Sequence, residues 1–220
     1  MNRNGSPDGP RVAVIIDAFR AFATACYVLD RGPDEYLLAT SSETVVRLAR
    51  QAANPLLIGK PELGADLVYA IPNSPTRALE VSIVGRTVIH RTQAGAKGVV
   101  EAAGVEIVLG AALVNTSATA RALRGIAPSA LTLVPMGHEG VTPTLEDDLC
   151  GVAITSHLEG EHFDLAQFVP ALREGSGRYF FGDDQWQYPR EDFERCTARD
   201  RFDFAIRAER VDDYARLVRC

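Results

Sequence analysis

No two of the four cysteines (Cys26, Cys150, Cys196 and Cys220) stand close enough to form a C-x-x-C pair. Their scatter argues against a zinc site and against a disulfide scaffold. Long apolar runs are also missing, so no segment has the length of a membrane span. Residues 1–10 are polar and rich in Gly and Pro, without the apolar stretch of a secretion signal. The expectation is a cytoplasmic protein with a flexible N-terminus over residues 1–10 and no membrane partner. Lys and Arg are nowhere clustered, and the net charge is −6. Phosphate-backbone affinity needs local positive charge, so nucleic acid is excluded as a partner. G-x-x-x-x-G-K-[ST], G-x-G-x-x-G and G-x-S-x-G are all absent, which removes the common nucleotide-binding and serine-hydrolase classes.

What is present is an ordinary globular composition over 220 residues, 46% hydrophobic and 24% charged. Short apolar runs at 12–16, 36–39, 56–58, 87–90, 106–109 and 131–135 read as buried strands. Helical patterns at 19–29, 43–49, 95–103, 116–123 and 145–158 alternate with them. Thr40 and Glu43 have capping-box spacing, and Asn115 and Thr144 stand where N-caps belong. Gly32 and Gly104 fall at the same place in two successive cycles, as do Thr44 and Thr116, which suggests an internal β-α-β-α repeat. Gly59 to Pro75 reads as a long loop. The expected fold is three-layer α/β: a mostly parallel sheet with helices on both faces over residues 11–158. Residues 159–220 are expected to form a C-terminal extension, helical and packed on that core.

Ligands of such sheets gather at the carboxyl ends of strands, where Asp17, His90 and Gly137 fall. Asp17 suits an N-cap, a metal ligand or a nucleophile, with Arg20 placed to hold a phosphate. Phe19 stands where a phosphoaspartyl phosphatase of the haloacid dehalogenase type carries a second Asp. Glu146, Asp147 and Asp148 open a helix, where acidic residues complement the helix dipole. A helical wheel that takes Leu145, Leu149 and Val152 as the buried side turns Asp147 away from the core. Two of these acids plus Asp17 would make a hard, oxygen-ligand site for Mg2+.

Five blocks, in order, resemble the 2-phosphosulfolactate phosphatase family. Residues 144–153 (TLEDDLCGVA) resemble its S-L-E-D-x-L-C-A-G signature, and residues 16–24 (IDAFRAFAT) its opening V-D-V-L-R-A-T-T-T. Asn73, Ser74 and Pro75 match its N-S-P loop. Residues 109–118 resemble its V-G-S-F-L-N-A-S-A segment, and residues 192–200 its ending. The resemblance implies Mg2+-dependent hydrolysis of a phosphomonoester to sulfolactate and phosphate. It implies Asp17, Glu146 and Asp147 as metal ligands and Asp17 and Arg20 as catalytic residues. Arg20, Asn73, Ser74 and Asn115 become contacts to a small anionic phosphorylated substrate, and His90, at a predicted strand end, and Thr92 just beyond it stand as further candidate contacts. The sequence departs from the pattern at residues 91–96 (RTQAGA for T-T-x-N-G-T), at 59–61 (GKP for G-E-R, with the acid displaced to Glu62), and at Phe22 and Ala23. Phe22, bulky in place of a small hydroxyl residue, is expected to reshape any pocket there. The alternative is a relative that binds an anionic metabolite without turnover. A homo-oligomer stays open.

Overall fold

The computed structural model describes residues 9–60, 67–102 and 104–220. Residues 1–8 and Glu62 therefore lie outside the described residues. In chain order the regular elements are β1 (Arg11–Ile16), α1 (Ala21–Leu29), β2 (Glu35–Ala39), α2 (Ser42–Gln51), β3 (Pro55–Ile58), α3 (Pro75–Glu80), β4 (Thr87–Arg91), α4 (Ala94–Glu101), β5 (Ile107–Ala111), α5 (Thr116–Ile126), β6 (Ala130–Pro135), α6 (Leu145–Glu159), α7 (Val169–Glu174), α8 (Arg190–Thr197), β7 (Ile206–Val211) and β8 (Tyr214–Arg219).

The strands form one eight-stranded sheet in the order β3-β4-β2-β8-β7-β5-β1-β6. β3, β4 and β2 are mutually parallel, and so are β5, β1 and β6. The β7–β8 hairpin lies between these trios and pairs antiparallel on both sides. Three successive reversals make the two trios run in opposite directions. Each trio takes its middle strand from the other half of the chain: β4 sits between β3 and β2, and β1 between β6 and β5. The sequence repeat is thus a pseudo-twofold with exchanged first strands. Gly32 and Gly104 both take left-handed backbone, φ 66° and 69°, at equivalent ends of the two cycles.

Side chains of successive strand residues alternate between faces. Ile15 lies under Gly98 of α4, and Ile16 under Gly151 of α6. α1 and α4 therefore cover one face, and α2 and α6 the other. Gly110 of β5 pairs with Ile15 and points at α1. A Cβ there would come within 2.3 Å of the Phe22 ring. Phe22, fully buried, fills that space. The departure expected to reshape a pocket is instead absorbed in the core, where burying such a ring contributes about 1.5–3 kcal/mol.

The loop expected over 59–75 runs, in its described part, to a short helix, α3, capped by Ser74. Two expectations need correcting. The cap of α2 is Ser41, whose hydroxyl accepts from Thr44 N at 3.1 Å, so Thr40 lies one residue too early. The extension is not only helical. Its last strands alternate buried Ile206 and Ala208 with exposed Arg207 and Glu209, and complete the sheet at its centre. No helix among the described residues is long and apolar enough to cross a membrane.

Candidate active site

β1 is apolar and buried from Val12 onward and carries the chain to Asp17, the first residue beyond the sheet. Asp17 Oδ1 accepts from Ala21 N at 3.1 Å, closing the first turn of α1. Its Oδ2 accepts from Gly95 N at 2.9 Å, at the start of α4. An added Cβ at Gly95 would be tight, meeting Asp17 Oδ2 at 3.0 Å and Ala21 Cβ at 3.1 Å. The starts of α1 and α4, which the pseudo-twofold relates, therefore meet at one carboxylate.

Asp147 arrives from α6. Its Oδ1 accepts from Ala18 N at 2.7 Å, the amide next to Asp17, and its Oδ2 accepts from Gly137 N at 2.7 Å. Two acids 130 positions apart are thus fixed on either side of one peptide. The wheel misassigned this helix: Leu145 and Val152 are 39% and 49% exposed, whereas Glu146 and Asp147 are 4% and 3% exposed. Hydrogen bonding to backbone amides, which hydrophobic periodicity does not register, turns the acids inward. Thr144 holds the N-cap position, but its hydroxyl makes no capping bond. Asp148 is exposed.

Burial is the largest cause raising the Asp17 carboxyl above its ordinary range, with the Glu146 charge adding to it and Arg20 opposing. Burial and then the Asp17 charge push Asp147 to about 8. A pair of this kind is stabilised by a proton or a cation. Each oxygen accepts one amide and keeps a lone pair, so Asp17 and Asp147 could hold a hard divalent ion. Glu146 lies close enough for its charge to raise both Asp17 and Asp147, and its Oε2 accepts from the Ser176 hydroxyl. Among the described residues no three His, Cys, Asp or Glu side chains are grouped to hold a metal. The donor set fits an ion that takes one or two carboxylates and completes its shell with water and phosphate, as Mg2+ does.

Arg20 follows a cis Phe19–Arg20 peptide. Its Nη1 donates to Asp192 Oδ2 at 2.7 Å and to the Gln187 carbonyl at 2.8 Å, and its guanidinium lies over the rings of Tyr188 and Phe180. Asp192 also accepts from Ser74 Oγ and from Thr76 N, both at 2.9 Å, which ties α1, α3 and α8 together. Ser74 is thereby a helix cap and an Asp192 partner. Thr92 Oγ1 accepts from Ala96 N at 3.0 Å, repeating at α4 the bond that Asp17 makes at α1. Asn115 does not cap α5 with its side chain; its Oδ1 accepts from Ala112 N at 3.0 Å. Asn115 Nδ2, Asn73 Oδ1, His90 Nε2 and Thr24 Oγ1 are buried without hydrogen-bond partners among the described residues. Arg91 Nη1 donates to the Lys60 carbonyl.

The structure thus brings Asp17, Asp147 and Arg20 to one place and assigns Ser74 and Thr92 to helix starts. Sequence reasoning missed Asp192 and the amides of Gly95 and Gly137. Asp192 was visible only as part of the 192–200 block.

A profile of the 2-phosphosulpholactate phosphatase family matches residues 2–176. The chain belongs to that family. Among its relatives is a protein of Symbiobacterium thermophilum, 30% identical over 152 residues, which are 68% of this chain and 64% of the relative. A Deinococcus radiodurans protein is 30% identical over 176 residues, 76% of this chain and 72% of its own length. A Parasynechococcus marenigrum protein is 28% identical over 200 residues, 89% and 77% of the two chains. Each of the three is named a probable 2-phosphosulfolactate phosphatase. The match to the first spans somewhat less than two thirds of that relative. In this 2-phosphosulpholactate phosphatase family member the paired carboxylates come one from each half of the interlocked sheet connections, Asp17 after β1 and Asp147 after β6.

Proposed function

We propose that the chain is a Mg2+-dependent phosphatase acting on a small phosphorylated acid such as 2-phosphosulfolactate. The observation that carries this reading is the Asp17–Asp147 pair, a half-buried and a buried carboxylate each held by two backbone amides, with the charge of Arg20 acting on Asp17. Family membership and the relatives' names support the reaction class. A Mg2+ ion held by Asp17 and Asp147 would supply charge neutralisation for the phosphoryl oxygens. Arg20 adds positive charge on the same side, and its engagement with Asp192 and two ring faces holds the guanidinium in one orientation. Both oxygens of Asp17 already accept amides, which suits a fixed ligand better than an attacking group and favours water as the nucleophile.

The test is phosphate release from a panel of phosphomonoesters with Mg2+ and with EDTA. Asp17→Asn and Asp147→Asn are each expected to lower kcat at least 100-fold, and EDTA to abolish turnover in the wild type. Metal-independent turnover, or full activity in Asp17→Asn, rejects the mechanism. The second reading, binding of an anionic metabolite without turnover, draws on the bonds that Arg20 already makes within the protein. Calorimetric binding of such a metabolite with no phosphate release would establish it.

A further inference from the structure

His90 lies inside β4, 0% exposed, with its ring edge-on to Tyr36. Nδ1 is 2.5 Å from the Tyr36 hydroxyl, while Nε2 is buried with no partner among the described residues. Tyr36 is itself buried, and its phenolic proton needs an acceptor. Nδ1 is the atom within reach, so the phenol donates and the neutral ring carries its proton on Nε2. Burial, reinforced by the charge of Arg20, disfavours the imidazolium and keeps the ring neutral.

The register shows which way the unpaired N–H faces. Tyr36 pairs with Val88, two residues before His90, so the bond to the phenol turns Nδ1 back along the strand. Nε2, on the other edge of the ring, faces the end of β4. There the chain runs through Thr92 to Gly95, whose amide is on Asp17. A buried donor without an acceptor is rare in folded proteins, and the charge of Arg20 acts both on this ring and on Asp17.

We propose that His90 Nε2 is a substrate contact, a neutral donor to an anionic oxygen of the phosphorylated acid. The substrate class rests on the phosphatase reading above; the donor role rests on the His90–Tyr36 geometry. A neutral N–H adds directional binding without a further full charge beside Arg20. Its proton is not transferred.

The test uses the full chain with Mg2+ and inorganic phosphate as the probe, comparing wild type with His90→Gln and His90→Met by calorimetry. Gln can accept from Tyr36 and still donate, so its Kd is expected within about threefold of wild type. Met can do neither and is expected to bind about 10–100-fold more weakly. In the wild type, the 15N spectrum is expected to show His90 protonated on Nε2, with that resonance shifting on phosphate addition. This measurement stands even if His90→Met does not fold. Equal phosphate affinity in a folded His90→Met, an unshifted Nε2 resonance, or no phosphate binding by the wild type overturns the proposal. Turnover assays on the same proteins separate the two readings. Turnover that His90→Met leaves unchanged in KM and kcat removes the His90 role alone. Phosphate binding that depends on His90 with no turnover of any ester removes the phosphatase reading alone.

Discussion

Arg20 and Asp192, 172 positions apart, form a fully enclosed ion pair at 2.7 Å, with Asp192 also accepting from Ser74 and Thr76. Removing one partner of a buried pair strands the other charge, which costs about 3–5 kcal/mol. Asp192→Ala is therefore expected to lower unfolding free energy by that amount in urea titrations. Arg20→Met, which keeps the bulk but strands the carboxylate, should destabilise comparably. The double variant should lose less than the two single losses together.

Asp147 sets a pH dependence of opposite sign to that of an ordinary surface carboxylate. Its folded-state pKa, about 8, lies above the unfolded value near 3.9. Without a cation the folded protein then binds more protons than the unfolded one between these values, and stability falls as pH rises through the window. A bound divalent ion favours the ionised pair. Thermal unfolding in EDTA should show a lower Tm at pH 8.5 than at pH 6.5, and Mg2+ should raise the Tm more at pH 8.5.

His90 acts in a lower window. Its folded pKa is about 3, below the unfolded value near 6.5, so the stability of its neutral burial is present above pH 6.5 and lost as pH falls. At pH 5 the loss is about 2 kcal/mol from the 1.5-unit gap. The stability difference between wild type and His90→Gln should shift by that amount in favour of the variant between pH 7 and pH 5, read from urea titrations at each pH.

Gly110 and Phe22 are matched. A methyl group at Gly110 would overlap the ring, and overpacking of this kind costs about 1–3 kcal/mol. Gly110→Ala is expected to destabilise by that amount, and Gly110→Ala combined with Phe22→Leu by less, in the same titrations.

The parallel strands were legible in the sequence because each is a short apolar run bounded by turn residues. The repeat was legible because Gly32 and Gly104 do the same conformational job. The meeting of Asp17 with Asp147 followed from strand order and from the resemblance, but the choice among three adjacent acids did not. Leu145 and Val152 suggested a buried side that the amides of Ala18 and Gly137 overrule. The β7–β8 hairpin does alternate in its sequence, with Ile206 and Ala208 inward. Nothing local, however, says that a strand pair will enter the middle of a sheet. Asp192 was hidden for the same reason: its partners lie more than 115 positions away.

The central hairpin has a consequence for biosynthesis. Until residues 206–219 have left the ribosome, β2 and β5 each present a bare edge, and the two trios of strands have no direct link through the sheet. A nascent chain must therefore wait with both seams open, exposed to mispairing with its neighbours, and the sheet closes only when this late-made clasp enters between them.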